Sequence, residues 1–184
     1  TVKYLSAAHS SCCGQMYHSQ CNQTMQENMT SNLSDKLKNT ATAIIDNSSC
    51  SGFAKDSGIN LLDINKFVID NIDRLQITKK YRKIALHIDC STAKHSFNPK
   101  YLKVLQMCAD EVIMPEGIKC CGFAGDKGFT VPELNASSLA ALARQIEGCE
   151  IGITFNRSCQ IGLTHHGKIQ YISFVGLMLN CISN

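Results

Sequence analysis

Lys83-Ile84-Ala85-Leu86-His87-Ile88-Asp89-Cys90 is a short apolar run that ends on a cysteine. A run of this length bounded by polar residues reads as a buried strand. Asn98-Pro99 then opens a helix, with proline suited to its first turn. Tyr101, Leu102, Val104, Leu105 and Cys108 give that helix an apolar face at helical spacing. Residues 111–115 return as a strand ahead of Cys120-Cys121-Gly122, and 132–146 form a second helix with Glu133 in its first turn. Residues 152–155 are a strand into Cys159, and 169–173 a last strand that leads into a final helix. Upstream, 25–37 and 64–75 read as helices and 41–45 as a strand. Strands alternating with long helices predict an α/β fold with parallel-type sheets flanked by helices. The cysteine motifs fall at strand C-terminal ends, where such sheets place their ligands.

The chain also repeats itself. Ser10-Ser11-Cys12-Cys13-Gly14 is followed by Asn47-Ser48-Ser49-Cys50, and Ile118-Lys119-Cys120-Cys121-Gly122 by Asn156-Arg157-Ser158-Cys159. The separation is 37 positions from Cys13 to Cys50 and 38 from Cys121 to Cys159. In both copies an apolar run precedes the late cysteine, which sits in an Asn-X-Ser-Cys turn, and Ser51-Gly52 or Gln160-Ile161-Gly162 reads as a polar loop after it. Repeats of this kind predict two pseudo-symmetric lobes, 1–78 and 79–184.

Of 184 residues, 44% are apolar and 18% charged, which is ordinary for a globular chain long enough to build its own core. A net charge of +3 is too small to argue for a nucleic-acid partner, and Lys79-Lys80-Tyr81-Arg82-Lys83 reads as a solvated segment before a strand. No leader is read at the start, which begins mid-pattern at Thr1 as if cut from something longer; the expectation is a cytoplasmic protein. Eleven cysteines are many, but the number is odd and vicinal pairs make poor disulfides, so metal binding or redox work is favoured over a disulfide framework.

Cys90, Cys120, Cys121 and Cys159 are four candidate soft ligands. They suit a 4Fe–4S cluster or a structural zinc, and residue types alone do not separate the two. Gly122 permits close backbone approach. Cys108, Cys149 and Cys181 lie in or beside helical apolar faces and read as small core hydrophobes, and Cys21 as core or surface. The loop 122–129 has a glycine at every third position but lacks a phosphate-loop pattern. His165-His166 read as solvent-facing or core histidines, with approach to a metal or a quinone as the other reading. No catalytic triad or carboxylate dyad is present, so no catalytic residue is assigned.

The stretches His87-Ile88-Asp89-Cys90-Ser91, Lys119-Cys120-Cys121-Gly122-Phe123-Ala124-Gly125-Asp126-Lys127-Gly128-Phe129, Pro132-Glu133-Leu134 and Asn156-Arg157-Ser158-Cys159-Gln160-Ile161-Gly162-Leu163 carry a resemblance. Together they resemble the C-terminal cysteine-rich (CCG) domain of bacterial FAD-linked, iron–sulfur D-lactate dehydrogenases. These are related to glycolate oxidase iron–sulfur subunits and heterodisulfide reductase B subunits. The resemblance covers most of 83–184 and, more loosely, 1–75. It implies an iron–sulfur cluster on Cys90, Cys120, Cys121 and Cys159 beside Gly122, with Cys12, Cys13 and Cys50 as the ligands of a first site. It also implies FAD and ferredoxin-type modules elsewhere in the enzyme, oxidation of a 2-hydroxy acid at the flavin, and electrons passed to a quinone or cytochrome. Contact with the inner face of the membrane would be peripheral, and this chain alone would be inactive. Asn47 and Asn156 stand where the family pattern has the first cysteine of Cys-X-X-Cys, which counts against a five-thiolate, non-cubane cluster. The other readings are a structural zinc or docking domain, and a thiol/disulfide-active domain.

Overall fold

The strand expected over 83–88 forms at Tyr81–Leu86, buried over its last three residues, and the rest of the larger sheet is arranged around it. The computed structural model describes residues 4–5, 11–95 and 97–182. The first part of the chain runs α1 (Gln15–Ser19), α2 (Gln23–Leu37), β1 (Ile44–Ile45), α3 (Ser48–Asp56), β2 (Leu62–Asp63) and α4 (Ile64–Asp70). The second part runs β3 (Tyr81–Leu86), α5 (Cys90–His95), α6 (Lys100–Cys108), β4 (Ala109–Ile113), α7 (Lys127–Thr130), α8 (Pro132–Ser138), α9 (Leu142–Gln145), β5 (Ile151–Thr154), α10 (Arg157–Gly167), β6 (Tyr171–Ser173) and α11 (Phe174–Cys181). It is an α/β fold with parallel sheets: β1 pairs with β2, and a second sheet has the order β4-β3-β5-β6.

Alternation along β3 decides which helices cover which face. Ile84 and Leu86 join a core with Tyr101 and Leu105 of α6, Phe174 and Leu177 of α11, and Ile69 of α4. Ala85 points the other way, into a core with Leu142 and Ile146 of the α9 region and Cys159 and Leu163 of α10. Gly152 on the neighbouring strand has no side chain because the Tyr171 ring occupies that space. The order also sets a switch point: the chain leaves β3 toward β4 on one side, then crosses to β5 on the other. Parallel sheets open a crevice at the carboxyl ends of such strands.

The repeat is visible in the backbone. Gly14 and Gly122 both have positive φ, 93° and 72°. A Cβ on Gly14 would meet the Gln26 carbonyl and Thr30; one on Gly122 would meet the Leu134 carbonyl and Ser138, at the same intervals along the chain. Asn47 and Asn156 each cap a helix, accepting from the backbone N–H of Ser49 and of Ser158 at 3.1 and 3.0 Å. Asp63 and Ser173 cap α4 and α11 at the ends of β2 and β6. The two parts also interlock, since Ile69 is buried in the larger core and Thr78 N–H donates to the Cys181 carbonyl.

Several sequence expectations are corrected. The polar loops expected at 51–52 and 160–162 are inside α3 and α10, and Cys50 and Cys159 lie in first turns rather than loops. Glycine signals a break in sequence, but Gly52 gives way to the His95 ring and Gly162 to the Asn135 side chain. The helix expected over 132–146 is two pieces, α8 and α9, interrupted between Ser138 and Leu142, with Leu139, Leu142 and Ile146 in the core. The helix expected over 64–75 ends at Asp70, where Asn71 donates its side-chain N–H to the Phe67 carbonyl and a 3-10 turn follows.

The paired turns make a test. Gly58 also has positive φ, but nothing lies within 4 Å of a Cβ there. Gly58→Ala is expected to cost about 1–2 kcal/mol from backbone strain alone. Gly122→Ala adds a collision with backbone and is expected to cost ~3 kcal/mol or more. Denaturant unfolding of the two variants checks the difference; equal costs would mean that the turn is not tightly packed.

Candidate thiol and metal site

Each cysteine of the second motif is delivered by a different device. Cys90 opens α5 just past β3, and the buried carboxylate of Asp89 accepts from the Thr92 N–H at 3.0 Å to cap that helix. Cys120 and Cys121 lie in the loop after β4, held by the Gly122 turn and by Asn135, whose side-chain N–H donates to the Cys121 carbonyl. Cys159 is in the first turn of α10, placed by the Asn156 cap. Three strand ends thus bring four thiols together.

Their contacts form a chain. The Cys121 and Cys159 sulfurs are 2.7 Å apart in the core. Cys120 interacts with both Cys121 and Cys90, and its sulfur accepts from the Gly122 N–H at 3.4 Å. Cys90 and Cys120 are exposed, Cys121 and Cys159 buried. The thiols divide accordingly. Donation from Cys121 and then from Cys90 pulls the Cys120 thiol well below its ordinary range, helped by the Gly122 N–H. The same contacts with Cys120 push the Cys90 and Cys121 thiols up, with burial adding to each.

The first motif repeats part of this. Cys12, Cys13 and Cys50 interact, and the Gly14 N–H donates to the Cys12 sulfur at 3.4 Å. Contact with Cys12 lowers the Cys13 thiol, but contact with Cys50 and burial outweigh it and bring it to about 11. Contact with Cys13 lowers Cys50. Cys108 and Cys181 are buried against each other in the larger core, Cys149 is buried in the core on the other face, and Cys21 is exposed.

Sequence reading missed the polar layer beneath the site. The Asp89 carboxylate accepts from the Ser48 hydroxyl at 3.2 Å and the Thr92 hydroxyl at 2.9 Å, and Ser91 donates to the Ser48 carbonyl at 3.1 Å. These bonds fasten α3 of the first part to α5 of the second. His87 is 2% exposed, and its Nε2 has no hydrogen-bond partner among the described residues. Burial lowers its pKa, opposed by the charges of Asp89 and Cys120. The only sequence signal for this layer was the polar Asp89 at the end of an apolar strand.

The donors are soft thiols of the kind that hold zinc or iron–sulfur clusters. Their spacing is that of thiols in contact: sulfurs sharing a tetrahedral zinc stand roughly 3.8 Å apart, given zinc–sulfur bonds of about 2.3 Å. Among the described residues, no three His, Cys, Asp or Glu side chains surround a common point as a preformed metal site. Also among the described residues, no helix is long and apolar enough to cross a membrane.

No family model matches the chain, and no curated protein matches it. Among solved structures, arylmalonate decarboxylase aligns over 85% of this chain and 74% of that chain, at 8% identity and a TM-score of 0.33, too low to carry an argument.

Two measurements follow from the geometry. Timed alkylation of the native protein, read by mass spectrometry, is expected to modify Cys120, exposed and with its thiol pKa lowered, at least about tenfold faster than the buried Cys121, Cys159, Cys108 or Cys181. Uniform labelling would contradict the burial described. His87 sets a pH dependence. Its folded pKa lies below the ordinary value near 6.5, so the unfolded chain takes up the proton first as pH falls. The His87 contribution is complete above pH ~6.5 and is lost on acidification below it. Melting temperatures at pH 7.5 and 5.5 should show that loss, and His87→Gln should reduce it.

Proposed function

We propose that this chain is the cysteine-rich electron-transfer part of a flavin-linked 2-hydroxy-acid dehydrogenase of the D-lactate type. In this reading Cys90, Cys120, Cys121 and Cys159 are the thiolate ligands of a 4Fe–4S cluster. The observation that carries it is the continuous contact of those four thiols at the carboxyl edge of a parallel sheet. The resemblance of the 83–184 motifs points the same way. A bound cluster would supply one-electron transfer. The chain's own residues hold the ligands: Asn156 and Asp89 fix two helix starts, Asn135 fixes the Cys121 backbone, and Gly122 lets the chain turn against α8 while its N–H points at sulfur. The contact spacing of Cys121 and Cys159 requires those side chains to open when metal enters. Cys12, Cys13 and Cys50 would form the first site, with three thiols among the described residues. Flavin and ferredoxin-type modules, and the step that oxidises the hydroxy acid, belong elsewhere in the enzyme, on the cytoplasmic side.

Anaerobic purification with iron, sulfide and zinc analysis tests the reading. The expected result is iron and acid-labile sulfide in about equal amount, near four of each per occupied site. Cys121→Ser should lose the second site, whereas Cys108→Ser, in the core, should keep it. Stoichiometric zinc without sulfide would replace this reading with a structural zinc domain, and absence of any metal in folded protein would reject both.

A further inference from the structure

A cavity of about 470 Å³ opens between α8 and α10. Its walls include Phe123, Phe129, Ala136 and Ile161, and its rim carries His165 and His166. The Phe123 and Phe129 rings meet edge to face, with centroids 4.8 Å apart, and the two imidazoles do the same at 4.8 Å. The sequence singled out these histidines, and the thiol site does not use them.

The lining restricts the ligand. Among the described residues it contains no Lys or Arg, so none of them would neutralise the phosphates of a nucleotide or flavin cofactor. Glu133, the one carboxylate lining it, disfavours an anionic hydroxy acid. What remains is a neutral, flat, apolar body bearing polar oxygens. Aromatic walls favour a planar ring, and two imidazoles can donate to carbonyl oxygens. The lining is apolar and open where an alkyl tail would leave: Phe129 is 68% exposed and Ile161 51%. The cavity is also close to the sulfurs through the chain itself. Phe123 is two residues past Cys121, and Gly162, which lines the cavity, is less than one helical turn past Cys159.

We infer that this cavity binds the headgroup of a lipophilic quinone, with His165 and His166 facing its carbonyl oxygens and the Phe129–Ile161 rim receiving its tail. The inference rests on the electron-transfer reading above and names the acceptor that reading leaves open. The probe is a short-chain ubiquinone with a fully substituted ring, which offers no free position for thiol addition. Its binding is measured by equilibrium dialysis on the protein, both metal-loaded and stripped. Saturable binding at one site per chain is expected. Ile161→Trp fills the cavity and should weaken binding at least about tenfold, and His165→Ala with His166→Ala should weaken it by about tenfold through two lost hydrogen bonds. Circular dichroism confirms that both variants fold. No saturable binding, or binding unchanged in folded Ile161→Trp, overturns the inference. The two ideas fail separately: iron and sulfide without quinone binding removes only the cavity assignment, and quinone binding without iron removes only the cluster reading.

Discussion

A carboxylate with no access to water must be met by donors, and Asp89 meets this requirement in a way that ties the molecule together. It is fully buried and accepts from the Thr92 N–H, the Thr92 hydroxyl and the Ser48 hydroxyl. The first of these caps α5 and so fixes where Cys90 starts. The last holds α3, and with it Cys50, against the second part of the chain. An ion pair between Asp46 and Arg157, one residue before the first Asn cap and one after the second, links the same two regions at the surface. Removing the Ser48 hydroxyl would therefore disturb two cysteine positions at once.

The two Cys-Cys-Gly turns solve one local problem twice. The backbone must reverse between a buried thiol and an oncoming helix, which leaves no room for a Cβ and requires positive φ. The N–H released by that turn points at the first sulfur of the pair in both copies. The late cysteines are likewise set by a cap rather than by a loop. An asparagine accepts from the residue two positions on, and the thiol follows in the first helical turn.

The second site faces two environments. Cys90 and Cys120 look outward near the first part of the chain, whereas Cys121 and Cys159 are packed among Phe123, Leu139 and Leu163. Phe123 belongs both to that packing and to the aromatic cavity. In the proposed electron-transfer role, the exposed thiols are open to a donor module and the cavity is lined for an apolar acceptor.

The sequence by itself determined the α/β class, the alternation of strands and helices, and the repeat, because apolar periodicity and motif spacing are local properties that survive without coordinates. It read Cys108, Cys149 and Cys181 as core residues, and the structure buries them, as it also buries Cys121 and Cys159. It misplaced what depends on long-range contact. Gly52 and Gly162 looked like breaks, yet each is a helical position emptied for a side chain from another element, His95 or Asn135. The 132–146 helix looked continuous, yet it is interrupted between Ser138 and Leu142. The sheet order, the Asp89–Ser48 bond between elements 41 positions apart, the buried His87 and the α8–α10 cavity had no signal in the sequence. Each of these arises only when strand pairing brings distant segments together, so tertiary structure alone decided them.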